Sequence, residues 1–283
     1  MANTNCILAL DGMNSFHRAR SGFTMGPAPV IFNFARQLRA LVEKFNPSKV
    51  YIGLEGHPVA RHAAHADYKA NRVILPDDPK AEEMKVFFGQ VNIMVDLLYK
   101  HFPVSVVRHA EHECDDTLAN LVMRSSADIP WIIASSDSDF IQLLHDHKNL
   151  KLYNPIQKEF VQAPHDYDYT VWKALRGDAT DNIPGIPGIG DKTAAVLAED
   201  PCKLAEFLHD QTNAEIFTRN YELIKFVNWT DEELAMMTSS SPTRDWDAIK
   251  TVFTDYGFNS IVKPKTWEKF VSTFDPLFND SHI

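Results

Sequence analysis

The sequence predicts an α/β fold, a mostly parallel central sheet flanked by helices and followed by a smaller helical subdomain. Three observations carry this. Over the first two-thirds of the chain, short apolar runs alternate with amphipathic stretches, the pattern of strands and helices laid down in turn. The amphipathic stretches place their apolar residues three and four apart, as helices do. From about Tyr167 the pattern turns helical with no further convincing strand. With 283 residues, 45% of them apolar and 23% charged, the chain can form one large domain or two small ones around a real core.

Cys6–Leu10 (CILAL) reads as a buried strand ending at Asp11-Gly12. Phe34, Leu38, Leu41, Val42 and Phe45 mark a helix from Ile31 that stops at Asn46-Pro47. Lys49–Glu55, Val104–Ala110 and Trp131–Asp137 are the next strands, and Leu118, Leu121 and Val122 mark a helix between Glu113 and Arg124. Leu150–Tyr153 and Glu159–Val161, joined through NPIQK, form a short hairpin. Residues 56–101 break the rhythm: they are rich in His, Lys, Arg and Asp, carry Pro76 and Pro79, and end in a helix from Lys80 to Lys100. They read as a polar excursion from the sheet edge. Thr238–Pro242 (TSSSP) reads as a loop or linker. The expected division is a core over residues 1–166 and a helical unit over 167–283.

Composition excludes several classes. The apolar runs are too short to span a membrane, and the N-terminus has no basic region ahead of a long apolar one, so it reads as a first strand rather than a signal peptide. Three widely spaced cysteines argue against a disulfide framework and fit a reducing cytoplasm. The net charge of −10 argues, taken alone, against nucleic acid. Placement matters more than the total.

In a parallel α/β sheet, ligands bind at the carboxyl ends of strands. Acids follow four of the predicted strands: Asp11 the first, Glu55 the second, Glu113, Asp115 and Asp116 (ECDD) the third, Asp137 and Asp139 (DSD) the fourth. In extended chain Asp137 and Asp139 would face one ligand. Asp178 and Asp181 (GDATDN) would share one face of a helical turn. One such acid is usually a helix cap. Their recurrence points elsewhere, because converging carboxylates repel unless cations sit between them. Oxygen donors without Cys or clustered His select Mg²⁺, with Mn²⁺ as a substitute, and a site of this size suggests two ions roughly 4 Å apart, as in phosphodiester-cleaving enzymes. Setting these nine acids aside moves the formal charge from −10 to −1, so a basic strip facing DNA is compatible with the rest of the chain. The histidine pairs His62/His65 and His109/His112 lack a complete zinc ligand set.

Asn182–Leu197 (NIPGIPGIGDKTAAVL) has the glycine spacing of a phosphate-binding P-loop, but Asp191 intervenes before Lys192-Thr193 and a helix rather than a strand precedes it. It reads better as a tight hairpin, with glycines permitting positive φ, opening onto a helix near Asp191 or Lys192. Gly185, Gly188, Gly190, Lys192 and Thr193 would then hold a DNA phosphate through backbone N–H groups and a lysine.

Together, DGMN (Asp11–Asn14), YKANR (Tyr68–Arg72), ECDD, SSDSDF (Ser135–Phe140), GDATDNIPGIPGIGDKTA (Gly177–Ala194) and RNYELIKF (Arg219–Phe226) resemble the structure-specific 5′-nuclease family. That family comprises flap endonucleases, the 5′-nuclease domain of bacterial DNA polymerase I, and stand-alone phage exonucleases also called phage RNase H. The resemblance implies a PIN-like sheet with Asp11, Glu55, Glu113 and Asp115 around one metal and Asp137, Asp139, Asp178 and Asp181 around a second. Asp115 is a candidate for both, and Asp116 matches a family acid with a less direct role. It maps the excursion to a helical arch, Lys69 and Arg72 to a basic pair facing the scissile phosphate, and Arg61 to the same strip. Tyr68 offers a stacking face for a base or packs beneath the arch. Residues 177–198 match a helix–hairpin–helix element with K⁺ held by carbonyl oxygens. The implied substrates are DNA with a 5′ flap, nick or free 5′ end, and RNA–DNA hybrids; the implied protein is a monomer in a bacterial or phage-infected cytoplasm, acting in replication. Rival readings are a catalytically silent junction-binding module and a PIN-type ribonuclease. Glu55 stands where many relatives carry Asp, and Cys114 and Ser138 replace small residues within the two acidic motifs.

Overall fold

The computed structural model describes residues 6–23, 26–72, 75 and 77–278. The chain runs β1 (Ile7–Asp11), α1 (Gly12–Arg20), α2 (Pro29–Phe45), β2 (Lys49–Leu54), α3 (Val59–Ala64), α4 (Ala81–Lys100), β3 (Ser105–Arg108), α5 (Cys114–Met123), β4 (Trp131–Ala134), β5 (Leu150–Asn154) and β6 (Glu159–Val161). It continues through α6 (Tyr169–Arg176), β7 (Gly177–Asp178), β8 (Ile183–Pro184), α7 (Asp191–Glu199), α8 (Pro201–Phe207), α9 (Gln211–Ile224), α10 (Asp231–Ala235), β9 (Thr238–Ser239), α11 (Trp246–Asp255), α12 (Asn259–Val262) and α13 (Pro264–Phe274). Short 3₁₀ turns cover Ala70–Arg72, Ser138–Leu143 and Ala179–Asp181.

Seven strands form one sheet in the order β6-β5-β4-β1-β2-β3-β9. The five inner strands are parallel and both edges are antiparallel. Side chains alternate across the strands, and the alternation sorts them between two cores. Leu8, Leu10, Ile52, Val106 and Ile132 join α1, α2, α4 and the last helices on one face; Ala9, Val107, Trp131 and Ile133 join α5, Phe140 and Leu143 on the other. Both faces are covered, which is why the strands read as unbroken apolar runs. The chain steps from β1 to β2 and β3 on one side and returns to β4 and β5 on the other. The carboxyl ends of β1 and β4 therefore border a topological switch point, where such sheets bind ligands.

Local chemistry sets the element ends. Pro29 opens α2, where its missing N–H costs nothing, and Asn46 ends it in the left-handed region at φ 44°, its N–H bonded to the Val42 carbonyl. In the hairpin before α7, Gly188 takes φ +82°, and a Cβ on Gly185 would lie 2.0 Å from the Arg176 carbonyl oxygen. Of the three hairpin glycines singled out in the sequence, Gly188 alone has positive φ; Gly185 serves close approach and Gly190 is the extended residue that starts α7.

Three expectations need correction. Residues 238–239 of the presumed linker form β9, which pairs with β3; Ser240 adds two bonds to the Val106 backbone. A polar, two-residue strand has no apolar alternation to betray it. The helical region after Tyr167 also divides. Residues 169–224 pack beside the sheet around Ala174, Leu175, Ile186, Ala194 and Leu223, whereas Ile249, Phe253, Trp267, Phe270 and Phe274 return to the main core. Finally, the excursion is polar only in its first half, since Phe87, Val91, Met94 and Leu98 bury α4 against the same core. Val73, Ile74 and Pro76 of that excursion lie outside the described residues.

Candidate active site

Eight of the nine singled-out acids line two adjoining cavities at the carboxyl edge of the sheet. One, of about 440 Å³, is lined by Asp11, Glu55, Glu113 and Asp137; the other, of about 350 Å³, by Asp115, Asp137, Asp139, Asp178 and Asp181. Asp137, Lys69 and Arg72 border both. One oxygen each from Glu113, Asp115 and Asp116 lies within 4.8 Å of the others, as does one each from Asp139, Asp178 and Asp181.

Each acid is placed by a local turn. Asp11 ends β1 and caps α1, accepting the Asn14 N–H at 3.0 Å and the Ser135 hydroxyl at 3.1 Å. Glu113 precedes α5, so Asp115 and Asp116 fall in its first turn, where the helix dipole favours negative charge. Glu55 accepts the Cys114 N–H at 3.0 Å, sitting over the same helix start. Asp137 caps the 3₁₀ turn after β4 and accepts the Asp139 N–H at 2.9 Å. The chain therefore turns between Asp137 and Asp139 instead of staying extended, and Asp139 swings toward Asp178 and Asp181. That last pair lies on a two-stranded hairpin and its 3₁₀ turn, not on an α-helical face.

Cations thread between the acids. Lys69 pairs with Glu113 and, at 3.4 Å, with Asp181; Arg72 pairs with Asp181 while its side chain stays half exposed. Lys173, buried on α6, pairs with Asp139 and, at 2.7 Å, with Asp178. The sequence reading missed Lys173. Its signal was a lysine beside Ala174 and Leu175 on the inward face of an amphipathic helix, five positions before Asp178.

Arg61 does not face DNA as expected. It is 6% exposed, ion-paired to Glu113 and Asp116, and donates to the Lys225 carbonyl at 3.2 Å. Tyr68 is 3% exposed and offers no stacking face; its hydroxyl donates to Glu113 at 2.8 Å and Asp181 at 3.2 Å. Asp116 lines neither cavity. Its carboxylate accepts from Arg61 at 2.6 and 3.0 Å and from the Val227 N–H at 2.9 Å, bonds that tie α5 to the segment after α9. All three corrections share one cause. Contacts distant in sequence decide which way a side chain faces.

The electrostatics show too little positive charge for the acids present. Burial, with Asp137 nearby, raises the Asp11 pKa; burial, with Asp116 and Glu113 nearby, raises that of Asp115 further. Enclosure of its carboxyl, with Asp11 and Glu113 close, pushes Glu55 up to about 7, although the residue as a whole meets solvent at the cavity rim. Burial raises Asp139 to about 6 despite Lys173. Burial would also raise Glu113 and Asp178, but Lys69 with Arg61 in the first case, and Lys173 in the second, hold them below the ordinary carboxylate range. An all-oxygen donor set, short of countercharge and enclosed in two adjoining cavities, fits hard divalent ions.

At the other candidate contact, Gly188, Gly190, Lys192 and Thr193 are exposed around the start of α7, and that start has no side-chain cap. Its first N–H groups are thus open to an anion.

Residues 6–170 match the family described as 5′-3′ exonuclease, N-terminal resolvase-like domain. The chain belongs to this family. It is 25% identical over 263 residues to DNA polymerase I of Caldicellulosiruptor bescii, covering 84% of this chain and 30% of that protein. It is 29% identical over 209 residues to the thermostable DNA polymerase I of Thermus aquaticus, covering 69% and 24%. The chain thus spans less than a third of the length of either. Among solved structures, the bacteriophage T5 flap endonuclease in a pseudo-enzyme-product complex with DNA and metal ions shares the fold at TM-score 0.63 and 19% identity, over 95% of this chain and 99% of that one. Among the described residues, no helix is long and apolar enough to cross a membrane.

Proposed function

We propose that this family member is a metal-dependent, structure-specific 5′-nuclease, a flap endonuclease and 5′-3′ exonuclease cutting phosphodiesters near the junction of single-stranded and duplex DNA. The convergence of eight separately placed carboxylates on two adjoining cavities carries the reading. Asp11, Glu55, Glu113 and Asp115 would hold one divalent ion, and Asp137, Asp139, Asp178 and Asp181 a second, Mg²⁺ or in its place Mn²⁺. Two ions bound there would supply an acidified water and stabilise charge on the leaving 3′ oxygen.

This chain's own residues do the rest. Lys69 and Arg72 border both cavities, so a phosphate entering there meets two cations fixed in advance, and charge building on its oxygens is offset without reorganisation. In the free protein these cations rest on Glu113 and Asp181. Substrate and ions would release them together. The glycine hairpin and Lys192 would hold duplex backbone without reading bases, with K⁺ at the hairpin carbonyls. The family's arch residues would guide a single-stranded 5′ end. The DNA polymerase I relatives support a role in replication, and the solved flap endonuclease complex supports action on DNA flaps; nicks, free 5′ ends and RNA–DNA hybrids as further substrates, and a monomer in a bacterial or phage-infected cytoplasm, are part of the same proposal.

A 5′-flap substrate assayed with Mg²⁺ and with EDTA tests the reading. Cleavage in Mg²⁺ alone, leaving 5′-phosphate and 3′-hydroxyl ends, is expected; binding with no cleavage in either condition would make the chain a silent junction binder.

A further inference from the structure

We propose that residues 225–229, the extended segment leaving α9, form a strap that sets the spacing of the two acidic clusters, with Asn120 and Gln142 as its positioning residues. The inference rests on the two-ion reading of the site.

The strap's backbone groups are met by side chains instead of a neighbouring strand. Gln142 accepts the Phe226 N–H at 2.9 Å and donates to the Ile224 carbonyl at 3.3 Å. Arg61 donates to the Lys225 carbonyl, and Asp116 accepts the Val227 N–H. Asn120, fully buried, donates to the Val227 carbonyl at 2.7 Å and accepts the Trp229 N–H at 3.0 Å. Its amide also donates to the Asp116 carbonyl at 2.9 Å, one helical turn back.

Where these side chains originate gives the strap its meaning. Asn120 and Asp116 lie on α5, whose start carries Glu113 and Asp115; Gln142 lies on the 3₁₀ turn that carries Asp139. One segment therefore binds both cluster-bearing elements. Phe226 packs on Phe140 of that turn, with ring centroids 5.8 Å apart, and Trp229 packs at a tilt against both His109 and His112, just before Glu113. Apolar contact alone would tolerate sliding, whereas directional bonds fix register. The strap also continues directly from α9, which packs on α6, Asn220 donating to the Ala174 carbonyl, so the unit carrying the glycine hairpin is tied to both clusters.

Gln142→Met keeps length and shape but removes both bonds; Asn120→Ala removes two of the three bonds from α5 to the strap, leaving Asp116 on the Val227 N–H. Arg124→Ala is the control. It frees the strap's far end, at the Trp229 carbonyl and Asp231, beyond the span between the clusters. The readouts are the Mn²⁺ binding isotherm without DNA, the melting temperature in EDTA, DNA affinity in EDTA, and single-turnover cleavage at saturating DNA. Gln142→Met and Asn120→Ala should weaken the second Mn²⁺ and slow single-turnover cleavage by about 10- to 100-fold, as loss of outer-sphere partners does. DNA affinity should hold, and excess Mn²⁺ should restore part of the rate. Arg124→Ala should lower the melting temperature and leave the second Mn²⁺ unchanged. The proposal is overturned if the two strap variants bind both ions and cut as wild type does, or if Arg124→Ala weakens the second ion equally. A wild-type chain that takes up no pair of ions and does not cut would remove the two-ion reading itself, and the strap's role with it.

Discussion

Glu113, Asp115 and Asp116 come from the first turn of one helix, while Asp139, Asp178 and Asp181 come from a turn after β4 and from a hairpin in the helical unit. The first cluster carries its own permanent counterion, Arg61, 6% exposed and held by two carboxylates and a backbone carbonyl. The second depends on Lys173 from α6 and on Arg72, whose side chain is half exposed. Neutralisation is thus built into the sheet side, and it is assembled across two units on the other. The second cluster should be the more sensitive to ions, to substrate and to anything that moves the helical unit.

The strongest test removes that assembled cluster. Asp139→Asn combined with Asp181→Asn should lower single-turnover cleavage beyond the roughly 1,000-fold that losing one preorganised electrostatic group costs. DNA binding in EDTA, measured by fluorescence anisotropy, should persist; parallel loss of both would show that these acids hold the fold. Lys69→Ala should come next, slowing single turnover by roughly 100- to 1,000-fold with a milder loss of affinity. An unchanged rate would exclude Lys69 from the reaction.

Stability measurements sharpen the contrast. Arg61→Ala strands two buried carboxylates and should cost about 3–5 kcal/mol in urea unfolding, in the presence or absence of Mg²⁺. Lys173→Met should cost about 1–3 kcal/mol in EDTA, the penalty of buried groups left unpaired, and Mg²⁺ should recover much of it. Equal rescue of both variants by Mg²⁺ would erase the distinction between built-in and exchangeable charge.

The smallest expected effect is the pH dependence of the metal-free protein. Glu55 near 7 and Asp139 near 6 bind protons more tightly folded than unfolded. Their contribution therefore favours the fold below the ordinary carboxylate range and fades as pH rises to about 7. Glu113 and Asp178, held low, act the other way: they stabilise above the ordinary range, and that stability is lost in acid. Melting in EDTA should separate the two, because Asp139→Asn removes that residue's share of the decline, between about pH 4 and 6, and leaves both the Glu55 share up to about pH 7 and the acid limb. Since the divalent ions favour ionised carboxylates, the rise in melting temperature produced by Mg²⁺ should grow with pH across the same window.

The inner sheet was legible in the sequence because parallel strands covered on both faces appear as continuous apolar runs, and acids directly after those runs mark the carboxyl edge. The convergence of Asp11, Glu113 and Asp137 followed from that placement; Asp178 follows no apolar run, and only the family resemblance brought it to the site. Arg61, Tyr68 and Lys173 were misread or missed for one physical reason. A charged or hydroxylated side chain faces inward only when partners distant in sequence are waiting, and Glu113, Asp116, Asp139 and Asp181 are such partners. Thr238–Ser239 failed differently, because two polar residues at an edge are held by backbone pairing, which leaves no trace in residue type.

That edge pairing bears on how the chain is made. β9 and the aromatic helices behind it seal a core begun by β1, α1 and α2, so the longest-range contacts arise from a segment synthesised well after the acids. Closing such distant contacts slows folding. A nascent chain would thus carry all nine acids well before it carries the residues that lock the sheet beneath them, and the two adjoining cavities should form late, once α13 has cleared the ribosome.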